Sequence, residues 1–237
     1  MTSPHIVNGK ERRIRERDPP PKERRTMHKW LNAKARQEYQ EQEEKGFSVY
    51  LSKLAEEKIR NHALSKANER LEIMGLLLGS VCRYNGGTEY ALVRDIATTD
   101  LDASSVRVRF SRNGLEKLFL SLEESGFDYV IVGWYHSHPG HRCFMSPTDV
   151  DTQRAMFNQS YHTAIVVDPI NQEIDAFYLE KDRIRSRPFA VYWDEYQNPY
   201  FGESVKRRRI AGLEDMEIGN GHASGNGYSN GDGHNGK

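Results

Sequence analysis

The chain has 237 residues, of which 37% are hydrophobic, and its 34 basic and 34 acidic side chains give a formal net charge of zero. This balance excludes an overall electrostatic preference for nucleic acid or membrane surfaces, and the length suits one globular domain with tails. Two cysteines are too few for a disulfide framework, and no apolar run is as long as the ~18 residues that a transmembrane helix needs. We therefore expect a cytoplasmic protein without a membrane span or a secretory signal.

Residues 1–46 are rich in charge and poor in apolar side chains. A basic, proline-containing stretch runs from Lys10 to Arg25, and the composition between Met27 and Lys45 favours a solvated helix. We expect a charged N-terminal arm that is partly disordered, partly helical and buries little. A docking arm for an acidic partner is the alternative interpretation.

From residue 47 to about 195, short apolar runs indicate a packed domain. Phe47–Leu51 alternates like a strand, and Ser52 can cap the helix that follows. The predicted apolar stripe of that helix consists of Leu51, Leu54, Ala55, Ile59, His62 and Ala63. The next apolar run, Leu71–Cys82, is typical of a buried strand but contains Glu72. A carboxylate in a buried strand costs free energy unless it is paired, ligated or used, so Glu72 is a candidate functional residue.

Turn residues at 85–87 predict a hairpin into a second strand that runs from Tyr90 to Ala97. A polar loop follows, then an alternating strand over Val106–Phe110 and an amphipathic helix that includes Leu115–Leu122.

The stretch from residue 129 to residue 138 predicts a strand that carries two histidines. Tyr129–Val132 is β-branched and aromatic, and the alternation of strand side chains places His136 and His138 on one face. Two imidazoles on one face can share one metal ion.

Ser146-Pro147-Thr148-Asp149 predicts a helix start, with serine as the N-cap and proline in the first helical position. This helix would carry Asp149 back towards the two histidines. Two neutral histidines and one carboxylate leave a fourth position for water, which is the arrangement of catalytic zinc sites. Each residue alone is more simply explained as a cap or a hydrogen-bonded polar group, but the combination favours a metal site.

The remaining apolar runs predict three further strands, within 163–169, 173–179 and 189–193. Residues 196–237 contain the basic cluster at 206–209 and then a tail rich in glycine and asparagine, which we expect to be disordered.

With these residues in view, the sequence resembles the JAMM (MPN+) metalloprotease family. The family signature is a glutamate upstream of His-x-His, then seven residues, serine, two residues and aspartate, and it is met by Glu72, His136, His138, Ser146 and Asp149. The stretches 72–79, 132–140, 166–169 and 174–177 are similar to the proteasome-lid deubiquitinase and its archaeal relatives. The pair His141-Arg142 departs from that pattern, because the eukaryotic enzymes typically carry an aromatic residue and a glycine there.

The resemblance implies an α/β (α+β) fold with a mixed, curved sheet flanked by helices, of cytidine-deaminase-like architecture. It implies that His136, His138 and Asp149 hold one zinc ion per chain, that Glu72 is the general base and that Ser146 stabilises the oxyanion. The implied activity is isopeptide cleavage between ubiquitin or a ubiquitin-like modifier and a substrate lysine. The implied partners are that modifier, its conjugates, and the proteasome or another MPN-domain protein.

Two other hypotheses stay open at this point. The same fold also serves as a non-catalytic scaffold subunit, although an intact set of five signature residues argues against that role. The basic tails leave nucleic-acid binding as a third hypothesis, which predicts steeply salt-dependent binding. We expect neither membrane attachment nor a nucleic-acid partner.

Overall fold

A computed structural model describes residues 14–98 and 129–194, all of which lie within one compact unit. The predicted strand at 106–110, the predicted helix at 115–122 and the tail from 196 onwards fall outside the described residues.

The described residues form one mixed sheet of ten strands. The strands are β1 (Arg15–Glu16), β2 (Arg25–Thr26), β3 (Val49–Ser52), β4 (Met74–Tyr84), β5 (Thr88–Thr98), β6 (Val130–Ser137), β7 (Thr163–Asp168), β8 (Glu173–Glu180), β9 (Arg183–Ser186) and β10 (Ala190–Tyr192). Their order across the sheet is β2-β10-β3-β5-β4-β6-β7-β8-β9, and β1 pairs in parallel with β4. The mixed sheet flanked by helices confirms the predicted fold class, whereas strands β1, β2 and β9 were not predicted.

Three α-helices accompany the sheet in the part of the chain that the structure covers: α1 (Ala33–Glu43), α2 (Lys53–Ala67) and α3 (Pro147–Met156). A short 3-10 turn lies at Lys22–Arg24.

The predicted cap of α2 is confirmed, because the Ser52 side chain accepts a hydrogen bond from the Ala55 N–H. Helix α2 buries Ala55, Ile59 and Ala63 against the sheet. The prediction for Leu54 was wrong, since this side chain is 39% exposed. Among the helices of residues 14–98 and 129–194, none has both the length and the apolar composition that a membrane span requires.

The segment before residue 47 buries more than its composition predicts. Trp30, Leu31 and Tyr39 are buried members of the main hydrophobic core. A backbone hydrogen bond also attaches this segment to the sheet, because the Ile174 N–H donates to the Trp30 carbonyl at 3.2 Å. The expectation of an arm that buries little is therefore corrected for residues 28–39. A few aromatic side chains spaced widely among charged ones are enough to anchor the segment.

A buried ionic contact joins this segment to α2. The His28 ring donates through Nε2 to a Glu56 carboxylate oxygen at 2.9 Å, because its Nδ1 already accepts the Trp30 N–H. Lys53 and Arg60 also donate to Glu56, at 2.7 and 2.9 Å. The carboxylate is only 1% exposed, so it is fully dependent on these three donors. Breaking one partner of such a buried group strongly destabilises a fold.

Acid is expected to weaken this contact. Burial raises the pKa of Glu56, but the hydrogen bonds from His28, Lys53 and Arg60 outweigh burial and leave the pKa below its usual range. The stabilisation by Glu56 is therefore complete above the unfolded pKa of about 4.3 and is lost as the pH falls below it. Burial lowers the pKa of His28, so below about pH 6.5 the unfolded chain binds a proton at this ring more readily than the folded chain does, and this difference also weakens the fold.

Between about pH 7 and about pH 3, we therefore expect His28 to lower the free energy of unfolding of the metal-free chain below about pH 6.5, and Glu56 to lower it below about pH 4.3. At neutral pH, Glu56→Gln should lower it by about 3 kcal/mol. Urea unfolding of wild type and variant across this pH range measures both effects, with Glu57→Gln as the exposed control. The difference in the free energy of unfolding between wild type and Glu56→Gln should become smaller at the acid end of this range. A difference that does not change with pH would contradict the stabilising role assigned to the ionised Glu56.

Strands β4, β6 and β7 lie side by side and together position the candidate site. Gly133 in β6 is required by their close approach, because a Cβ at this position would lie 1.9 Å from the Thr163 carbonyl oxygen of β7. Its φ of +152° is also one that side-chain-bearing residues rarely adopt. The close packing brings the ends of all three strands to one place.

Candidate metal centre

His136 and His138 lie at the carboxyl end of β6, between β4 and β7. His136 pairs with Met74 of β4 and with Val166 of β7. His138 follows the strand directly, and its N–H donates to the Val167 carbonyl at 2.9 Å. The backbone of both histidines is therefore held by hydrogen bonds to neighbouring strands, and the two rings lie 4.8 Å apart.

Helix α3 brings Asp149 to the same place. Its start is the predicted capping box: the Asp149 N–H donates to the Ser146 hydroxyl at 3.2 Å, and the Ser146 N–H donates to Asp149 Oδ2 at 2.7 Å. Pro147 occupies the first helical turn, as expected. The cap fixes the direction of the carboxylate, so that Oδ2 lies 3.5 Å from His136 Nε2 and 3.4 Å from His138 Nε2.

The charges of the three side chains suit a divalent cation. Burial raises the pKa of Asp149, but the two histidines and Ser146 outweigh burial, so the pKa is lowered and the carboxyl stays ionised. Burial lowers the pKa of His136 more than the nearby carboxylate raises it. The ring is thus favoured in the neutral form, which is the form that ligates metals.

The donor set fits zinc. One atom from each of His136, His138 and Asp149 lies within 4.8 Å of the others. Both ring nitrogens of His136 are buried and have no hydrogen-bond partner in the part of the chain described. Buried polar atoms without partners are rare and call for a ligand or an ion. Two imidazoles and one carboxylate are the protein ligands of many catalytic zinc sites.

Glu72 lies beside this group, although not inside a strand. It stands two residues before β4 begins at Met74, and it is half-buried. The next residue, Ile73, exchanges two bonds with Ser137: its N–H donates to the Ser137 hydroxyl at 3.0 Å, and its carbonyl accepts the Ser137 N–H at 2.9 Å. Since Ser137 separates the two histidines, these bonds hold Glu72 close to them. Burial raises the pKa of Glu72, and Asp149 raises it further, while His138 and His141 act in the opposite sense.

Cys143 has the features of a packing residue. Its thiol donates to the Val166 carbonyl at 3.2 Å, and burial raises the pKa of the thiol. A thiol in that state is a poor nucleophile. His62, predicted to lie on a helix face, bonds the Tyr135 hydroxyl through Nδ1 at 2.9 Å and is not a member of the group of candidate ligands.

Asp168, at the end of β7, organises the turn that follows His138. Its carboxylate is fully buried and accepts five hydrogen bonds. The donors are the N–H groups of Gly140, Arg142, Ile170 and Asn171 and the side-chain amide of Asn171, at 2.6–3.1 Å. Burial raises the pKa of Asp168, but these bonds outweigh burial and lower the pKa overall. One carboxylate thereby ties together the loops that follow β6 and β7.

We expect Asp168→Asn to lower the free energy of unfolding by about 3 kcal/mol. An amide retains one acceptor oxygen but turns an NH₂ group towards donors that Oδ2 now satisfies, namely the Arg142 N–H and the Asn171 side chain. Urea unfolding checks the loss, with Asn171→Ala as a control that removes one side-chain donor alone. A loss below about 1 kcal/mol would mean that the carboxylate charge is not needed here.

Sequence patterns did not single out Trp134, Gln153 or Asp168 as functional. One available signal was the spacing of Gln153, which follows Asp149 by four residues and must share its side of a helix. A signal for Asp168 was an acid directly after a β-branched run. Both signals are common in proteins, and they gain meaning only when the neighbouring strands are known.

Comparison with known proteins places these features in context. The family model described as JAB1/Mov34/MPN/PAD-1 ubiquitin protease matches residues 44–162. COP9 signalosome complex subunit 5 of Debaryomyces hansenii is 33% identical over 155 residues, covering 64% of this chain and 30% of the relative. The 26S proteasome regulatory subunit RPN11 of Eremothecium gossypii is 40% identical over 141 residues, covering 56% of this chain and 43% of the relative. The ubiquitin carboxyl-terminal hydrolase RPN11 of Saccharomyces cerevisiae is 36% identical over 141 residues, covering 56% and 44%. The chain thus spans less than half the length of these relatives.

Proposed function

Because the chain belongs to the JAB1/Mov34/MPN/PAD-1 ubiquitin protease family, we propose that it is a zinc-dependent isopeptidase that removes ubiquitin or a ubiquitin-like modifier from substrate lysines. The observation that carries the proposal is the convergence of His136, His138 and Asp149 within 4.8 Å, with Glu72 held next to them. Relatives named as a ubiquitin carboxyl-terminal hydrolase and as proteasome and COP9 signalosome subunits support the substrate class.

His136, His138 and Asp149 would hold the zinc ion, through one atom each. Bound zinc would polarise the scissile carbonyl and lower the pKa of a water molecule to about 7. The partial burial of the three side chains restricts the access of bulk water, so the charges within the site act at a low dielectric constant.

Glu72 is the proposed general base. It takes a proton from the attacking water and later donates that proton to the ε-amine of the leaving lysine. A base for this step must lie close to the metal without being bound to it, because a ligated carboxylate loses its basicity. The two bonds between Ile73 and Ser137, which hold Glu72 close to His136 and His138, support this role.

Ser146 is the proposed oxyanion donor. Its oxygen accepts the Asp149 N–H, which leaves its own O–H proton free to donate elsewhere. In the proposed reaction the Ser146 O–H donates a hydrogen bond to the oxyanion of the tetrahedral intermediate and keeps its proton. The cap therefore orients the hydroxyl for catalysis as well as stabilising the helix.

The proposed partners are the modifier, its conjugates, and the proteasome or another MPN-domain protein, in keeping with the names of the relatives. We place this activity in the cytoplasm, because the chain has only two cysteines and both are free.

The purified 237-residue chain tests the proposal directly. Lysine-linked di-ubiquitin and conjugates of candidate ubiquitin-like modifiers are incubated with the chain, with and without a zinc chelator, and metal content is measured by elemental analysis. We expect about one zinc per chain and cleavage that the chelator abolishes and added zinc restores. Zinc without cleavage of any conjugate would contradict the isopeptidase assignment, and absence of both would favour the scaffold hypothesis.

A further inference from the structure

The ring of His136 lacks the support that a metal-binding histidine usually has. Such a ring commonly donates its second N–H to a carboxylate or a carbonyl, which fixes both its tautomer and its plane. Within residues 14–98 and 129–194, Nδ1 of His136 is buried and has no hydrogen-bond partner, although the residue is only 3% exposed. The plane of this ring must therefore be fixed in another way.

Aromatic stacking supplies that support. The indole ring of Trp134, two residues earlier on the same face of β6, lies parallel to the His136 ring, with centroids 4.4 Å apart and planes 15° apart. Such stacked pairs stabilise a fold by more than the burial of their apolar surface alone would. The ring of Phe157 also lies parallel to the indole, at 5.8 Å and 12°. The orientation of the His136 ring therefore depends on the position of the Trp134 ring.

Gln153 fixes Trp134 in turn. Its Oε1 accepts the indole N–H at 2.7 Å, and its Nε2 donates to the Phe157 carbonyl at 2.7 Å. The side chain is fully buried, so both bonds are made away from water. Gln153 lies one helical turn beyond Asp149 on α3. A single hydrogen bond therefore connects the helix that carries Asp149 with the strand that carries His136.

We propose that Trp134 and Gln153 are positioning residues that set the plane of His136 relative to Asp149, and through it the zinc affinity of the site. The proposal rests on the proposed function only in taking zinc as the ion. Neither residue contacts the reacting atoms; both act through His136. The pair takes the place of the hydrogen-bonded partner that this ring lacks among the described residues.

Gln153→Met tests the connection, because methionine has a similar volume but its thioether sulfur is only a weak acceptor for the indole N–H. We expect the zinc affinity, measured by competition with a chromogenic chelator, to fall by about 10- to 100-fold, as when the support of a metal ligand is lost elsewhere. The visible absorption spectrum of the cobalt-substituted protein should shift, since it reports ligand geometry. Trp134→Phe keeps a ring for stacking but removes the N–H, and should also lower the affinity, because the bond to Gln153 is then absent.

Trp134→Phe combined with Gln153→Met should lower the affinity little further than Gln153→Met alone, because the connecting bond is already absent. The control is Ile59→Ala in the buried face of α2, which destabilises the fold away from the metal. It should leave the cobalt spectrum unchanged. If Gln153→Met does not fold, Gln153→Glu and Trp134→Phe carry the test, because the first retains the acceptor oxygen and the second retains the stack.

Two results would overturn the proposal. One is wild-type zinc affinity and an unchanged cobalt spectrum in the folded variants that lack the bond between the indole and residue 153, Gln153→Met and Trp134→Phe. The other is a loss of affinity in Ile59→Ala equal to that in Gln153→Met, which would trace the effect to general instability. A wild-type protein that binds zinc but cleaves no conjugate would contradict the proposed function and leave this proposal intact.

Discussion

Glu72→Gln is expected to leave zinc bound and to lower isopeptide cleavage by about 10²- to 10⁴-fold, the usual contribution of a general base. Glutamine has nearly the same size and keeps the hydrogen bonds of the adjacent backbone, including those between Ile73 and Ser137. It cannot take a proton from water at neutral pH. The proton needed by the leaving lysine amine is then missing as well, so both halves of the reaction slow down.

The measurement is the rate of di-ubiquitin cleavage at saturating zinc, together with zinc content by elemental analysis. Glu69→Gln is the matched control, because Glu69 lies nearby in sequence but is half exposed and paired with Lys66. We expect this control to cleave at the wild-type rate. Unchanged turnover in Glu72→Gln would remove the proposed base from the mechanism, and loss of zinc would mean that Glu72 acts as a ligand.

Asp149→Asn is expected to lower zinc affinity by more than about 100-fold, beyond the range seen when only the support of a ligand is lost. The amide is neutral, so it offers the cation a weaker donor than the ionised carboxylate. The start of α3 should survive, because the amide oxygen of asparagine can still accept the Ser146 N–H. Cleavage should be lost together with zinc.

Competition with a chromogenic chelator measures this affinity, and circular dichroism checks that the helix is retained. Asp151→Asn is the control in the same helix, since the Asp151 side chain is 79% exposed and makes only a long ion pair with Arg154, at 3.8 Å. An Asp149→Asn protein with wild-type affinity would show that the ion is held elsewhere. Loss of helical signal would trace the effect to the cap instead of the metal.

The local elements of this fold followed from residue patterns. Ser52 and Ser146 were predicted as caps because their hydroxyls serve the nearest backbone N–H groups, and both caps are present. Strands β4 to β8 were predicted, apart from their ends, since apolar runs and turn residues depend on neighbours within a few positions. Leu54 was placed wrongly because helical spacing gives the relative direction of side chains but not the width of the buried face.

Contacts between distant segments could not be predicted in the same way. The burial of Trp30 and Tyr39 depends on a surface formed by residues far along the chain. The shared carboxylate of Glu56 joins His28 to α2 across 28 positions. Such pairs carry no periodic signal, because each residue alone is compatible with a solvated helix or loop.

In the candidate site, too, local features could be predicted from the sequence, whereas contacts between distant segments could not. The sequence by itself determined the chemical groups and their order, since His-x-His at a strand end and a capped helix with Asp149 are local patterns with known geometry. It also singled out Glu72 as a carboxylate that required an explanation. Only the tertiary structure decided how these groups are held: by the bonds of Ile73 to Ser137, by the five donors around Asp168, and by the stack and hydrogen bond that link His136 to α3. The physical reason is that ligand identity is a property of single residues, whereas the position of a ligand depends on packing between strands and a helix that are distant in the chain.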